Sequence, residues 1–462
     1  MTQTAAEWAQ QTWEEVNLGD KRLNRRAIEI GARMAANPEG SLPQQMQSPS
    51  ILQAAYRLMN NKHVTMPALL EPHYLQTREE AGKQKVVLWV NDLSEVDYTF
   101  HNAKTGLGPI GNEKGKGFLL HSSLGIVPES RQVLGVGSVQ VILRQPTPKP
   151  RPKWSRTAEG LVWEKAADEV GAAPAGVQWV HVSDAGSDYF PYLATCVDQA
   201  KHFLVRVSRN RLLTWDDEDP QAGQAEANKL VDYVRSLAPQ PESGYPVMVS
   251  ADKKQPAREA QVVMAWGKVT ISPSPQAPDN ERTHSALTAW VLRVWEPTPP
   301  ENVEALEWVL LSSLPVSNLK EAQCRVDWYT CRWLCEDFHQ VLKTGCKIER
   351  SQLDDRADLE NLLGFAVPIA VRLLQLRQIA RQKPETLAIT VVDPLMVKVL
   401  AIHQNENVQT MTIHAFWRLV ARLGGFLGRK RDADPGWRTI WRGWHFLSDL
   451  TDGARLVLNS DP

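Results

Sequence analysis

The hydrophobic period changes twice along this chain, and no other feature limits its possible folds as much. Between about residues 20 and 60 apolar residues recur at helical spacing, as Leu23, Ala27, Ile30 and Met34 do in KRLNRRAIEIGARMAA, with Asp20 placed to cap that segment. A second helix is expected over residues 50–60, after a Pro-containing turn. Near Lys85 the pattern becomes strand-length. VVLWVND, YTFHNA, FLLHSSLGIV and VLGVGSVQVILR are broken by Gly-rich connections and predict the antiparallel part of a mixed sheet. Residues 145–156, with PTPKPRPK, read as an exposed basic connection, and a helix is expected before the strand in GVQWVHVSDAGSD. KHFLVRVSRNR is a further strand; YPVMVSADK, QVVMAWGKVTI, SALTAWVLRVWE and EWVLLSS then form a β-rich insertion or subdomain without a sustained helical period. After Ser317 helices return, over residues 326–343 and 358–381, and the chain closes on FWRLVARLGGFLGRKR and a tryptophan-rich tail.

Composition narrows the function classes. At roughly 150 residues per domain, 462 residues make about three domains or one with large insertions. Five cysteines, an odd number, fit a reducing compartment better than a disulfide scaffold. The N-terminal MTQTAAEWAQQTWEEVNLGDKR has acids and glutamines where a signal peptide needs an apolar run, and no stretch has the roughly 20 uninterrupted apolar residues of a membrane span. A soluble cytoplasmic protein without a membrane partner is expected. The net charge of −1 argues against a wholly basic nucleic-acid-binding surface but leaves room for local basic patches. The N-terminal helices, with Lys21, Arg22, Arg25, Arg26 and Arg33, resemble a small DNA-binding unit; a helical cap with a solvated basic face fits the same residues.

The strongest chemical pattern lies in VDWYTCRWLCEDFHQVLK. Tyr329, Arg332, Glu336 and Lys343 follow one another at intervals of 3, 4 and 7, which places them near one face of a continuous helix. A partly solvated helix with compensating charges has that pattern too. Asp92 and Asp184 each close an apolar run, and strand ends can bring such side chains together. Joined by Glu336 they would offer three hard oxygen ligands to Mg²⁺, an arrangement suited to phosphoryl transfer, although acids at strand ends are also common turn residues. Cys331, Cys335 and His339 recur at intervals of four on the same segment, but structural zinc wants a further ligand that the sequence does not supply.

With these residues in place, the chain resembles the cut-and-paste transposases of the insertion-sequence-four family, which includes the transposon-five enzyme. The resemblance runs from LGDKRLNRRAIEIG and QAAYRLMNN to ARLGGFLGRKR, and is most specific in YTCRWLCEDFHQVLKTG, whose Tyr329, Arg332, Glu336 and Lys343 match the family signature. Asp92 in NDLSEVDY and Asp184 in SDAGSD match the two catalytic aspartates. Leu93 and Ser94 stand where the transposon-five enzyme has two threonines. Ala185 replaces an arginine after Asp184, while the later acid is kept as Asp188.

The resemblance implies an α/β protein. An RNase-H-like mixed-sheet catalytic core (76–370) would carry a β-rich insertion at about 212–315, between a helical end-binding domain (1–75) and a helical dimerisation and DNA-contact domain (371–462). It implies a DDE transposase that binds terminal repeats as a homodimer, cleaves through a hairpin and inserts the excised element into target DNA, in association with bacterial chromosomal or plasmid DNA. Asp92, Asp184 and Glu336 would hold Mg²⁺, two ions per site, with Mn²⁺ as a possible substitute. Tyr329, Arg332 and Lys343 would contact DNA at the cleavage site, and Trp308, 21 positions before Tyr329, would stack on a flipped base. Arg206, Arg209, Arg211, Lys253, Lys254 and Arg258 are less specific phosphate contacts, and Arg25 and Arg26 are candidate contacts to the terminal sequence. A metal-dependent nuclease that cannot join, or a DNA-binding protein that has lost transposition, would share most of these residues.

Overall fold

The computed structural model describes residues 4–145, 158–214, 228–249, 257–274, 282, 284–429 and 435–458; the basic connection expected at 145–156 lies almost wholly outside them. The N-terminal helices are α1 (Ala5–Trp13), α2 (Lys21–Ala36), α3 (Leu42–Met46), α4 (Pro49–Met59) and α5 (Met66–Gly82). Thr4 and Glu7 close a capping box on α1, and Asp20 caps α2 by accepting from Arg22 N at 2.8 Å. Trp13 ties this group to the rest of the molecule. Its ring is fully buried and donates from Nε1 to Leu69 O at 3.1 Å, and it packs on Phe365 with centroids 5.4 Å apart. Gly31 leaves the space this ring occupies, since a Cβ there would come within 2.3 Å of it.

The central sheet is built on β1 (Val86–Asp97), β2 (Gly108–Ile110), β3 (Gly115–Val127), β4 (Gln132–Ile142), β5 (Gln178–Ser183) and β6 (His202–Arg206). β1, β3 and β4 pair antiparallel, and β5 and β6 then continue parallel to β1, so the order β4-β3-β1-β5-β6 is that of an RNase-H-like core. Residues 98–103, expected as a strand, form turns instead. Asp97 Oδ1 accepts from Thr99 N at 2.8 Å and ends the strand, as a side chain that competes for backbone donors does.

Beyond β6 the sheet continues through β7 (Tyr245–Val249), β8 (Arg258–Ile271), β9 (Leu287–Trp295) and β10 (Glu307–Ser312), with β10 antiparallel to β6. These strands thus extend the central sheet rather than form a detached unit, and a short helix, Leu230–Ser236, packs on β8 and β9. Alternation sends Leu88, Val90 and Asp92 to one face of β1, and Val87 and Trp89 to the other. A helix at Arg356–Gln382 packs on β4 and on α5. Despite the charges that interrupt it, this helix is long and apolar enough to cross a membrane, but 78% of its apolar window is buried inside the molecule, as in a core helix. The C-terminal helices Pro394–Gln404, Ile413–Leu423 and Trp437–Leu458 pack together, with Trp417 and Trp444 stacked at 5.2 Å.

Candidate active site

Asp92 is not at a strand end. It sits within the twelve-residue β1, opposite Ser122 of β3, one step past Asn91, the last residue of β1 paired with β5. The parallel ladder therefore stops where the acid begins, and β5 itself ends at Ser183. Asp184 follows as cap of a 3₁₀ turn over Ala185–Ser187, with Oδ1 accepting from Gly186 N at 2.9 Å. Ser183 Oγ and Ser187 Oγ lie 2.5 Å apart and close the same turn.

Glu336 arrives from a helix that is interrupted, unlike the continuous one the spacing predicts. Leu319–Thr330 ends before Cys331, and Trp333–Gln340 begins after Arg332. Between them Cys331, Arg332, Leu334 and Cys335 bond to carbonyls three residues back instead of four. A π turn over Val341–Gly345 then widens the helix around Lys343. Tightening on one side of Glu336 and widening on the other change the rotation of these side chains relative to a regular helix.

Arg332 bridges two of the carboxylates. Its Nη2 donates to Glu336 Oε1 at 2.6 Å, its Nη1 lies 3.9 Å from Asp92 Oδ2, and its side chain is 12% exposed. Burial pushes the Asp92 carboxyl up to about 7; Arg332 and the N–H of Leu93 oppose the shift, while Asp184 and Glu336 add to it as like charges. Asp92 and Glu336 open on a cleft of about 250 Å³ lined also by Ser94, His339, Gln340, Lys343 and Thr344, and Asp184, which does not line it, is near enough for its charge to act on Asp92. A roomier cavity, about 350 Å³, lies elsewhere, between α2–α4 and residues 346–369, and holds none of these acids. Three carboxylates, one of them buried beside the charge of the others, are hard donors whose ionised form a divalent cation would favour, so the residues present fit Mg²⁺.

Other expected residues divide. Tyr329 is 4% exposed, and burial raises its hydroxyl against the opposing charges of Arg332 and Arg206, which places Arg206 beside the site. Trp308, 6% exposed, meets Tyr329 edge-on with centroids 5.0 Å apart. Arg209 is exposed and lies 6.0 Å from the Tyr189 ring. Arg211 is instead buried against Asp188, whose Oδ2 also accepts from Ser208 N at 2.6 Å and Arg209 N at 2.8 Å, so the pair fixes the loop after β6. Arg258 donates twice to Glu296, at 2.6 and 2.8 Å, within the extended sheet. Lys253 and Lys254 lie outside the described residues. Arg25 is exposed on α2, and Arg26 pairs with Glu29 at 2.6 Å. Cys331 turns its thiol to Asp327 O at 3.5 Å, away from Cys335 and His339. His339, which the sequence offers only in a cysteine-histidine pattern for zinc, is a neighbour of the acids; it stands three residues after Glu336, a spacing that puts both on one helical face, and its Nδ1 is 3.8 Å from Asp92 Oδ2.

An RNase-H-like sheet with acids on β1, after β5 and on a following helix defines a class of enzymes that move phosphoryl groups of nucleic acids. A family model described as "Transposase DNA-binding" matches residues 5–64, and one described as "Transposase Tn5 dimerisation domain" matches residues 368–460. These two matches, at either end of the chain, are those of a Tn5-like transposase of the insertion-sequence-four family, a DNA-binding DDE enzyme with a dimerisation domain, of a class that generally uses divalent metal. A solved structure titled "Cryo-EM structure of piggyBac transposase synaptic complex with hairpin DNA (SNHP)" aligns over 97% of this chain and 82% of its own. The identity is 11% and the TM-score 0.34, so the strand order, not this overlap, defines the fold.

Proposed function

We propose that this transposase cuts and joins DNA at Asp92, Asp184 and Glu336, using two Mg²⁺ ions that Mn²⁺ can replace. The observation that supports the reading is that Asp92 and Glu336 share one cleft and one guanidinium, with Asp92 pushed toward neutrality by burial and, to a lesser extent, by the charges of Asp184 and Glu336. When bound, the ions supply an activated attacking oxygen, a stabilised leaving 3′ oxygen and neutralisation of the scissile phosphate. The chain's own residues orient the DNA. Arg332, already in the site as counter-ion, can pass its planar donors to a phosphate, while Lys343 and Arg206 add point charge and a second guanidinium at the rim. Tyr329 positions backbone through its hydroxyl. Residues 1–75 bind the ends, 76–370 carry the chemistry and 371–462 pair two copies.

No protein nucleophile is needed. Water breaks the first P–O bond and leaves a 3′ hydroxyl, which attacks the opposite strand and expels its 3′ oxygen to close a hairpin. A second water opens the hairpin, and the freed 3′ hydroxyl attacks target DNA. The substrates are the element's terminal repeats in bacterial chromosomal or plasmid DNA. Replacing Asp92, Asp184 or Glu336 with Ala should lower metal-dependent cleavage of terminal-repeat DNA by at least about a hundredfold, while a gel shift still shows specific binding. Near-parental cleavage in any folded single variant overturns the assignment, and cutting without insertion points to a nuclease instead.

A further inference from the structure

Cys335 and His339 have no part in the chemistry above, yet with Asp92 they gather a sulfur, a nitrogen and an oxygen within 4.8 Å of one another, Cys335 and His339 buried and Asp92 at the edge of the cleft. Cys335 and His339 are one helical turn apart on Trp333–Gln340, and Asp92 faces them from β1. Ser122 of β3 orients both: its carbonyl accepts from the Cys335 thiol at 3.8 Å, and its Oγ lies 3.1 Å from His339 Nε2. Assigning the ring proton to Nε2, as a donor to Ser122 Oγ, leaves the Nδ1 lone pair on the Asp92 side. Nδ1 and Asp92 Oδ2 are 3.8 Å apart; two ligands about 2.1 Å from one tetrahedral ion lie about 3.4 Å apart, so a shift of a few tenths of an ångström brings them to one ion.

We propose that Asp92, Cys335 and His339 form a second metal site, selective for a thiophilic divalent ion of the Zn²⁺ or Cd²⁺ type, that competes with the hard-ion site for Asp92. Two of its three ligands are soft or borderline, so it prefers Zn²⁺ over Mg²⁺, the reverse of an all-carboxylate set. Its fourth position opens on the cleft that Asp92 and His339 line, so the site is an open three-ligand one rather than a closed structural centre. On binding, the Cys335 S–H bond is replaced by an S–metal bond, and the proton passes to solvent. An ion held there takes Asp92 out of the pair needed for cutting, so the site acts as a zinc-operated brake.

The binding claim rests on these three side chains alone; only the braking claim rests on the function proposed above, and the experiment separates them. The full-length chain is titrated with Cd²⁺ and followed by thiolate-to-metal charge-transfer absorption, which needs no activity. A band is expected in the parent, in Cys331→Ala and in Asp184→Ala, and its loss is expected in Cys335→Ala. Absence of the band in the parent, or its persistence in Cys335→Ala, overturns the site. In parallel, Zn²⁺ should inhibit Mg²⁺-dependent cleavage by the parent, and the concentration giving half inhibition should rise at least about tenfold in Cys335→Ala. Circular dichroism of Cys335→Ala checks its fold, and Zn²⁺-induced stabilisation of the parent against heat, lost in His339→Ala, reads the same site through a second ligand. Equal inhibition of parent and folded Cys335→Ala overturns the brake. A lost band together with cleavage that never required Asp92 upholds the metal site and refutes the triad.

Discussion

A carboxyl group buried beside two others keeps its proton longer than one in water, and Asp92, pushed up to about 7, makes the metal-free protein pH-sensitive. The sign follows from linkage. Below an ordinary aspartate pKa both folded and unfolded chains carry the proton and nothing is lost. As pH rises the unfolded chain ionises first, so stability falls until the folded pKa is passed. A shift of about three units makes the full loss on the order of 4 kcal/mol. Asp92→Asn removes that cost, so in a chelator its melting temperature should exceed the parent's near pH 8 and approach it near pH 4.5, at about those conditions; a difference independent of pH would refute the shift. The acids themselves were legible in the sequence, since each closes an apolar run or falls on the helical signature. Arg211 and Arg258 were not, because a sequence displays a charge without its partner. Asp188 lies 23 positions before Arg211 and Glu296 lies 38 after Arg258, and only the folded loops and strands bring them together.

The same limit holds for elements. The spacing of Tyr329, Arg332, Glu336 and Lys343 announced a helix, but neither Gly nor Pro marks the break at Cys331 and Arg332, and Gly345 marks only the end of the π turn around Lys343. The break lies where the helix packs against strands far away in sequence, and the π turn where it packs against the helices Arg356–Gln382 and Trp437–Leu458. The extension of the sheet by β7 to β10 was legible as strands, whereas the antiparallel pairing of β10 with β6 that makes one sheet of them depends on contacts about a hundred residues apart. Trp308 shows what such packing implies for chemistry. In the DNA-free chain its indole is buried edge-on against Tyr329, so offering a face to an extruded base requires Tyr329 or its helix to shift. Trp308→Ala should retain first-strand nicking and accumulate nicked DNA, since loss of a stack worth roughly 1–3 kcal/mol slows hairpin closure by about 5- to 150-fold. Trp308→Phe should recover part of the hairpin yield. Parental conversion of nicks to hairpins by a folded Trp308→Ala protein would end the stacking role, and equal loss of both steps with a lowered melting temperature would mark a packing role only.

Across the whole molecule, the net charge of −1 and the DNA-binding assignment are reconciled by distribution, because what a phosphate meets is the local field. Arg25 stands exposed on α2, within the match to the DNA-binding model, whereas the acids lie on the central sheet and the helix that follows it. On the function proposed above, end recognition and chemistry fall on different parts of the chain. The C-terminal segment that matches the dimerisation model exposes Ile402, Leu456, Val457 and Leu458, an apolar surface of the kind a second copy would cover. If pairing brings the acids of one copy to the end held by the other, two separately disabled proteins should complement each other. Glu336→Ala binds ends but cannot cut, and the double variant Arg25→Ala, Arg26→Ala keeps its acids but holds ends weakly. Each alone should give little cleavage of terminal-repeat DNA, and the mixture should restore a measurable fraction. Restored cutting would mean a working complex in which one copy recognises the end and the other cuts it. Absence of any restored product, with both variants shown to fold and to form mixed dimers, would mean that each copy cuts the end it binds.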